Sequence, residues 1–139
     1  MEWQEALPLL QENHTGVAIS VTPKGRAQST IVSTAVLDGK LGFASRPRTV
    51  KVKNIERTGR AAVTVIKLDT RRYVTVEGPA SIEAWQDTKA HIKRLKDFYV
   101  AMGRTKGTDE EFAQQMREEE RSLILIIPEH VYGSLRSGS

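Results

Sequence analysis

The segment Tyr73–Ala84 constrains the fold more than any other. Val74, Val76, Gly78, Ala80, Ile82 and Ala84 fall on one side of an alternation, and Tyr73, Thr75, Glu77, Ser81 and Glu83 on the other. A period of two is the mark of a β-strand. Its 12 residues at roughly 3.3 Å each make a strand of about 40 Å, long for an open sheet. Gly78-Pro79 stands in the middle. Proline lacks a ladder donor and glycine marks a bulge or close approach, so the pair predicts the bend that a barrel corner needs.

The flanking segments agree with a closed antiparallel sheet. Thr15–Val21 and Ala27–Leu37 are rich in Val, Ile, Ala and Thr, and Pro23-Lys24-Gly25 between them is a turn sequence. Asp38-Gly39 is a hairpin signal, with Leu41–Ser45 returning, so the first half reads as a three-stranded meander. Arg60–Ile66 is a further strand. Ser122–Ile127 is apolar throughout and reads as a strand buried on both faces, with Pro128 as its stop and Val131–Gly133 as a last short pairing. Helices are expected over residues 2–12, despite Pro8, and over Arg46–Arg57, with Ser45 as cap and Pro47 in the first turn. A third runs from Trp85 to Gly103, with Trp85, Thr88, Ile92, Leu95, Tyr99 and Met102 as its stripe. Thr108 and Glu111 have capping-box spacing for a fourth, with Phe112 and Met116 as its apolar pair. The fold class is therefore mainly β: a six-stranded antiparallel barrel with peripheral helices, one domain over residues 1–136, and a disordered tail at 137–139.

Several functions lose support at this level. The chain has no cysteine, so disulfides and thiolate metal sites are excluded. No apolar run approaches the roughly 20 residues of a membrane span, and the acidic start lacks the form of a secretory signal; a cytoplasmic protein is expected. The nucleotide, hydrolase and zinc-protease motifs are missing. His14, His91 and His130 are far apart in sequence, and no metal is expected.

The net charge of +4 is local. Residues 46–60 hold six bases and one acid, so this window carries +5 and the remainder of the chain −1. Such a patch suits one anionic ligand better than a polymer. The helix expected there starts among Ser45, Arg48, Thr49 and Lys51, and a helix N-terminus offers unpaired amides to an anion. The residues fit a phosphate cradle, and they also fit a solvated basic face. Gln28, Thr30 and Val32 share one face of the second strand by alternation, as residues lying against a flat ring would. A nucleic-acid-binding barrel would need aromatics among the bases, and residues 46–60 contain none.

Four ordered stretches resemble the pyridoxamine-phosphate-oxidase-like flavin and deazaflavin oxidoreductases, and within them the B-type deazaflavin group. Thr15–Ala18 leading to Lys24-Gly25-Arg26-Ala27-Gln28 is similar to the family's first hairpin. Thr49–Ile55 with Arg57 and Arg60 is similar to its K-x-R-N-L-R segment, with Lys53 for the usual arginine and Gly59 where proline is common. Tyr73–Ala80 resembles its V-x-G-x-A strand, and Ile127–Gly133 its P-x-x-V-Y-G ending. The resemblance implies an FMN-binding split-barrel homodimer with two cofactor sites at the subunit interface. It implies that Lys51 holds the cofactor phosphate, with Ser45, Arg48 and Thr49 near it and Asn54 bracing the turn. Gln28, Thr30 and Val32 would flank the ring, and Tyr73, Thr75 and Glu77 would approach it from the long strand. The cofactor implied is coenzyme F420, with FMN as the alternative and haem held by some relatives. The activity implied is hydride transfer to or from a planar conjugated small molecule, or else coenzyme carriage without catalysis. No catalytic side chain is singled out. By charge alone, Arg46 and Lys53 would suit the polyglutamate tail of F420.

Overall fold

The computed structural model describes residues 1–105 and 107–136, so the expected tail lies outside the described residues. In chain order the elements are α1 (Trp3–Glu12), β1 (Thr15–Val21), β2 (Ala27–Leu37), β3 (Lys40–Ser45), α2 (Val50–Thr58), β4 (Arg60–Lys67), β5 (Arg72–Glu83), α3 (Lys89–Ala101), α4 (Asp109–Glu119), β6 (Ser122–Ile126) and β7 (His130–Ser134). All pairings are antiparallel, in the order β4-β1-β2-β3-β6-β5-β7 with β4 also paired to β5. That last pairing closes a six-stranded barrel, with β7 added as a seventh strand.

The bend expected at Gly78-Pro79 is where the barrel turns. β5 pairs with β7 from Tyr73 to Glu77 and with β6 from Ala80 to Glu83. β6 and β7 thus follow one edge of β5 as a single strand broken at 127–129. The Ile127 amide donates to the Pro79 carbonyl at 2.8 Å and the Glu129 amide to the Glu77 carbonyl at 3.0 Å. The break passes directly over Gly78: a Cβ there would strike the Ile127 carbonyl oxygen.

Inward residues of the strands fill the barrel, among them Val32, Phe43, Val63, Val76 and Ile124, and α1 and α2 cap it with Leu10, Val52 and Ile55. A second apolar layer lies outside the sheet, where Leu95, Phe98, Phe112 and Met116 of α3 and α4 cover Ala35, Leu123 and Leu125. The unbroken apolar run of β6 follows from this: Ile124 and Ile126 face the barrel, and Leu123 and Leu125 face the helices. No described helix is long and apolar enough to cross a membrane.

Two helices start later than their sequence pattern suggests. α2 begins at Val50 with Thr49, not Ser45, as its cap; Thr49 Oγ1 accepts from the Val52 amide. The intervening Arg46-Pro47-Arg48 is a turn, because Ser45 is still paired in β3. α3 begins at Lys89 with Thr88 as cap. Trp85 precedes it and packs edge-on against His91 at 5.4 Å. The capping box of Thr108 and Glu111 forms as expected, and Phe112 and Met116 are buried.

Candidate functional site

The β3–α2 junction opens into a cleft of about 350 Å³. Ser45, the last residue of β3, is buried and donates to the Arg46 carbonyl at 3.2 Å; its Oγ lies 3.1 Å from Thr49 Oγ1. The two hydroxyls hold the turn so that the first turn of α2 faces the cleft, with Lys51 on its rim. The first amides of a helix have no intrahelical acceptor and carry partial positive charge. Lys51 is half-buried and forms no ion pair with a described carboxylate. Burial first, and then the nearby Arg121 guanidinium, hold its ammonium below the ordinary lysine value. An anion placed there relieves both effects.

The opposite wall comes from elements distant in sequence. Phe98 and Tyr99 of α3 and Met102 at its C-terminal cap make it apolar, and Arg104 follows them. Arg104 donates to Ser33 Oγ at 3.2 Å. Arg121 enters because β6 pairs with β3: Ser122 lies opposite Ser45, which sets the preceding residue beside the junction. It donates to Glu119 at 2.7 Å and to the Ala44 carbonyl at 3.5 Å. Burial raises the Tyr99 phenol, although Arg121 and Arg104 pull it down. Burial also acts to raise the Glu119 carboxyl, but hydrogen bonds from Gln115 and Arg121 bring it below the usual range. No carboxylate is among the described residues lining the cleft, whereas Arg46, Lys51, Arg104 and Arg121 are.

Of the residues singled out in the sequence, Ser45, Thr49, Lys51 and Val32 meet at this cleft, and Arg46 joins them. Arg48 and Lys53 are exposed and do not line it. Gln28 and Thr30 are also elsewhere. They lie on the inward side of β2 in a run of hydrogen bonds: Gln28 Nε2 to Thr30 Oγ1 at 2.8 Å, Ser20 Oγ to Gln28 Oε1 at 3.2 Å, and Asn54 Nδ2 to Ser20 Oγ at 3.1 Å. Asn54 Oδ1 accepts from Arg57, which also donates to the Val21 carbonyl. Asn54 is thus a buried brace between α2 and β1. Val50 on the same helix is exposed, and Val52 and Ile55 are its buried apolar residues. Alternation found the two faces of β2 but not which one is outside. The outward residues Ile31 and Ser33 reach the cleft instead. Tyr73 and Glu77 lie exposed on the outer face of β5, with Thr75 buried between them, and none of the three lines it.

The sequence does not point to Arg104 or Arg121 as site residues, and it shows Tyr99 only as part of a helix stripe. Arg121 stands directly before the apolar run of β6, but only the β3–β6 register shows what it lies beside. A larger groove between α3 and α4 lacks comparable convergence. Three of its cations sit beside carboxylates: Lys93 by Asp97 at 3.0 Å, Lys96 by Asp109 at 3.8 Å and Arg117 by Asp87 at 3.0 Å.

A family model described as pyridoxamine 5'-phosphate oxidase matches residues 3–134. A comparison with curated proteins finds no match. Among solved structures, an F420 reductase superposes with a TM-score of 0.66 at 23% identity, covering 90% of this chain and 94% of that one. A pyridoxamine 5'-phosphate oxidase-related, FMN-binding protein of Nostoc punctiforme gives 0.64 at 16% identity, covering 96% and 84%. A haem-binding protein of Mycobacterium smegmatis gives 0.71 at 13% identity; the match covers 99% of this chain and 55% of that longer one. At these identities the likeness is one of fold.

Proposed function

The chain belongs to the pyridoxamine 5'-phosphate oxidase family, and we propose that it binds coenzyme F420 in the β3–α2 cleft and uses it to reduce a planar conjugated small molecule. The observation that carries this reading is Lys51, a half-buried ammonium with no described carboxylate partner, set on the first turn of α2 beside two hydroxyls. That donor set fits a phosphate: charge from Lys51, amides from the helix start, and hydroxyls from Ser45 and Thr49. The long bond from Ser45 to the Arg46 carbonyl is one that an anion can displace by turning the hydroxyl.

The deazaflavin, when bound, supplies the carbon that carries hydride. The chain's own residues bind and orient it. Phe98 and Met102 keep water from one side, and Arg46 stands at the mouth where a polyglutamate tail would leave. F420 is favoured over FMN because the lining is cationic beyond what one phosphate requires. The same cradle suits the phosphomonoester of FMN. The lack of a carboxylate among the described lining residues also suits a carrier that holds coenzyme without turnover.

A homodimer completes the site in this reading. Helices cover the outside of β3, β6 and the end of β2, leaving the outer face of β1, β4, β5, β7 and the start of β2 bare. On that face Val21, Ile31, Tyr73 and Tyr132 are exposed, and Ile31 also lines the cleft. A second copy seated there would roof the cleft.

The test is a fluorescence titration of the purified protein with F420 and with FMN, alongside Lys51→Ala. Saturable F420 binding is expected. Loss of one charge-assisted contact of about 1.5–3 kcal/mol weakens it roughly tenfold or more. Turnover of reduced F420 on a panel of conjugated carbonyl compounds supports the reductase, and binding without turnover supports the carrier. Tighter binding of FMN moves the assignment to FMN, and retention of neither coenzyme overturns the reading.

A further inference from the structure

A second charged cavity lies under α1, where the β4–β5 hairpin meets that helix. We propose that it binds a short zwitterion, an ω-amino carboxylate whose carboxylate meets Arg72 and Lys67 and whose ammonium meets Glu12. The site goes beyond the coenzyme reading and does not rest on it, because no described residue lining this cavity also lines the cleft.

The cations follow from the strand register. Val63 and Val65 of β4 and Val74 and Val76 of β5 point into the barrel and are fully buried. Lys67 and Arg72 are the next residues on those same inward sides, and the pairing sets them directly opposite each other. Like charges opposed on paired strands repel. Neither has a carboxylate within ion-pair distance among the described residues. Arg72 is half-buried, and its Nε is shut away from water with no hydrogen-bond partner among them. A buried donor left unpaired is costly. Turning the guanidinium into the cavity lets Nε and a terminal nitrogen hold one carboxylate through two parallel bonds, and that carboxylate also neutralises the opposed charges.

The facing wall belongs to α1 and is acidic, with Glu5 and Glu12 on it. Glu5 already accepts from the Glu2 amide at 3.1 Å. Glu12 has no ion pair with a described cation. It stands at the C-terminal end of α1, whose last turn has no basic residue and whose partial negative charge favours a cation. The cavity thus sets strand cations against a negative helix end without joining them. A plain anion would satisfy one wall and be repelled by the other. A molecule with opposite charges at its two ends satisfies both, and its carbon chain can lie on Pro8, Leu9 and Leu135. The volume of about 260 Å³ falls just below the ~300–1,000 Å³ of sites for drug-sized ligands, which suits a short chain.

Calorimetric titration of the full chain with δ-aminovalerate tests this, with valerate and pentylamine as the same carbon chain carrying one charge each. δ-Aminovalerate should bind saturably, and each single-charge probe roughly tenfold or more weakly, the loss of one charge-assisted contact. In Arg72→Gln, δ-aminovalerate should bind no better than pentylamine, because the carboxylate has lost its partner. In Glu12→Gln it should bind no better than valerate, because the ammonium has lost its own. These are ratios of affinity within one protein, so a change in stability does not mimic them. Lys51→Gln should alter none of the ratios, and Glu12→Gln should leave the F420 titration unchanged. Equal affinity of the unaltered chain for valerate and δ-aminovalerate overturns the zwitterion in favour of a plain anion. Absence of δ-aminovalerate binding overturns the site altogether. Either result leaves the coenzyme reading standing, and failure of F420 to bind leaves this site standing.

Discussion

At the scale of single residues, two polar groups on α2, one half-buried and one buried, separate binding from bracing. Lys51 attracts an anion only while protonated. Burial and Arg121 lower its pKa from 10.5, so affinity for a phosphorylated coenzyme is full well below that lowered value. It falls as pH rises through it, before 10.5 is reached. Across that window binding takes up a proton, because the bound anion favours the ammonium. Lys51→Arg, which stays charged, moves the loss to higher pH; Kd measured between neutral and alkaline pH for both proteins checks this. Asn54 behaves differently. Asn54→Ala leaves Ser20 Oγ without its donor and Arg57 without its side-chain acceptor. The expected cost is about 1–3 kcal/mol of stability in urea denaturation, with coenzyme affinity changed far less than by Lys51→Ala. An equal loss of affinity would return Asn54 to the binding set.

At the scale of elements, the local rules hold where one segment decides the outcome. Alternation over Tyr73–Ala84, Asp38-Gly39 as a hairpin and Thr108 with Glu111 as a capping box were all legible, because each needs only its own neighbours. The start of α2 was not. Ser45 is a good cap by type, but its backbone is committed to the β3–β6 ladder, so the cap passes to Thr49. Which side of β2 carries Gln28 and Thr30 was not legible for a similar reason: a period of two has no inside until the barrel closes. Gly78 carries the sharpest element-scale prediction. Any Cβ there meets the Ile127 carbonyl oxygen, a backbone atom tied to Pro79 through its own amide at 2.8 Å. Relief requires moving the β6–β7 strand off β5. Gly78→Ala should therefore cost about 1–3 kcal/mol, the usual price of overpacking, or more. Gly59→Ala meets no such obstruction within 4 Å, and its cost should come only from its positive φ of 69°. Thermal unfolding of the two variants compares a blocked contact with a strained turn.

At the scale of the whole molecule, the barrel has one covered side and one bare side, and the cleft lies along the boundary. The covering is asymmetric because α3 and α4 both arise from the single long connection between β5 and β6. Sequence could supply the helices but not the side they protect, nor the approach of Arg121 to Lys51 across the β3–β6 pairing. The bare side presents Ile31, 77% exposed, at the lip of the cleft. An isoleucine that open gains by burial against a second copy, at roughly 25 cal/mol per Å² of apolar area removed from water. Stable interfaces of ordinary size bury about 800 Å² on each partner, and the five-strand face is the broad surface available for it. Ile31→Glu places a charge opposite its own copy in a two-fold contact, because an isologous interface repeats every change. The variant should sediment as a monomer while keeping its fold by circular dichroism, and it should bind F420 more weakly because the cleft loses its roof. Val100→Glu, on α3 and 51% exposed, lies away from that face and should alter neither property. A dimer unaffected by Ile31→Glu would place the contact on another surface, and the cleft would then have to hold its coenzyme within one chain.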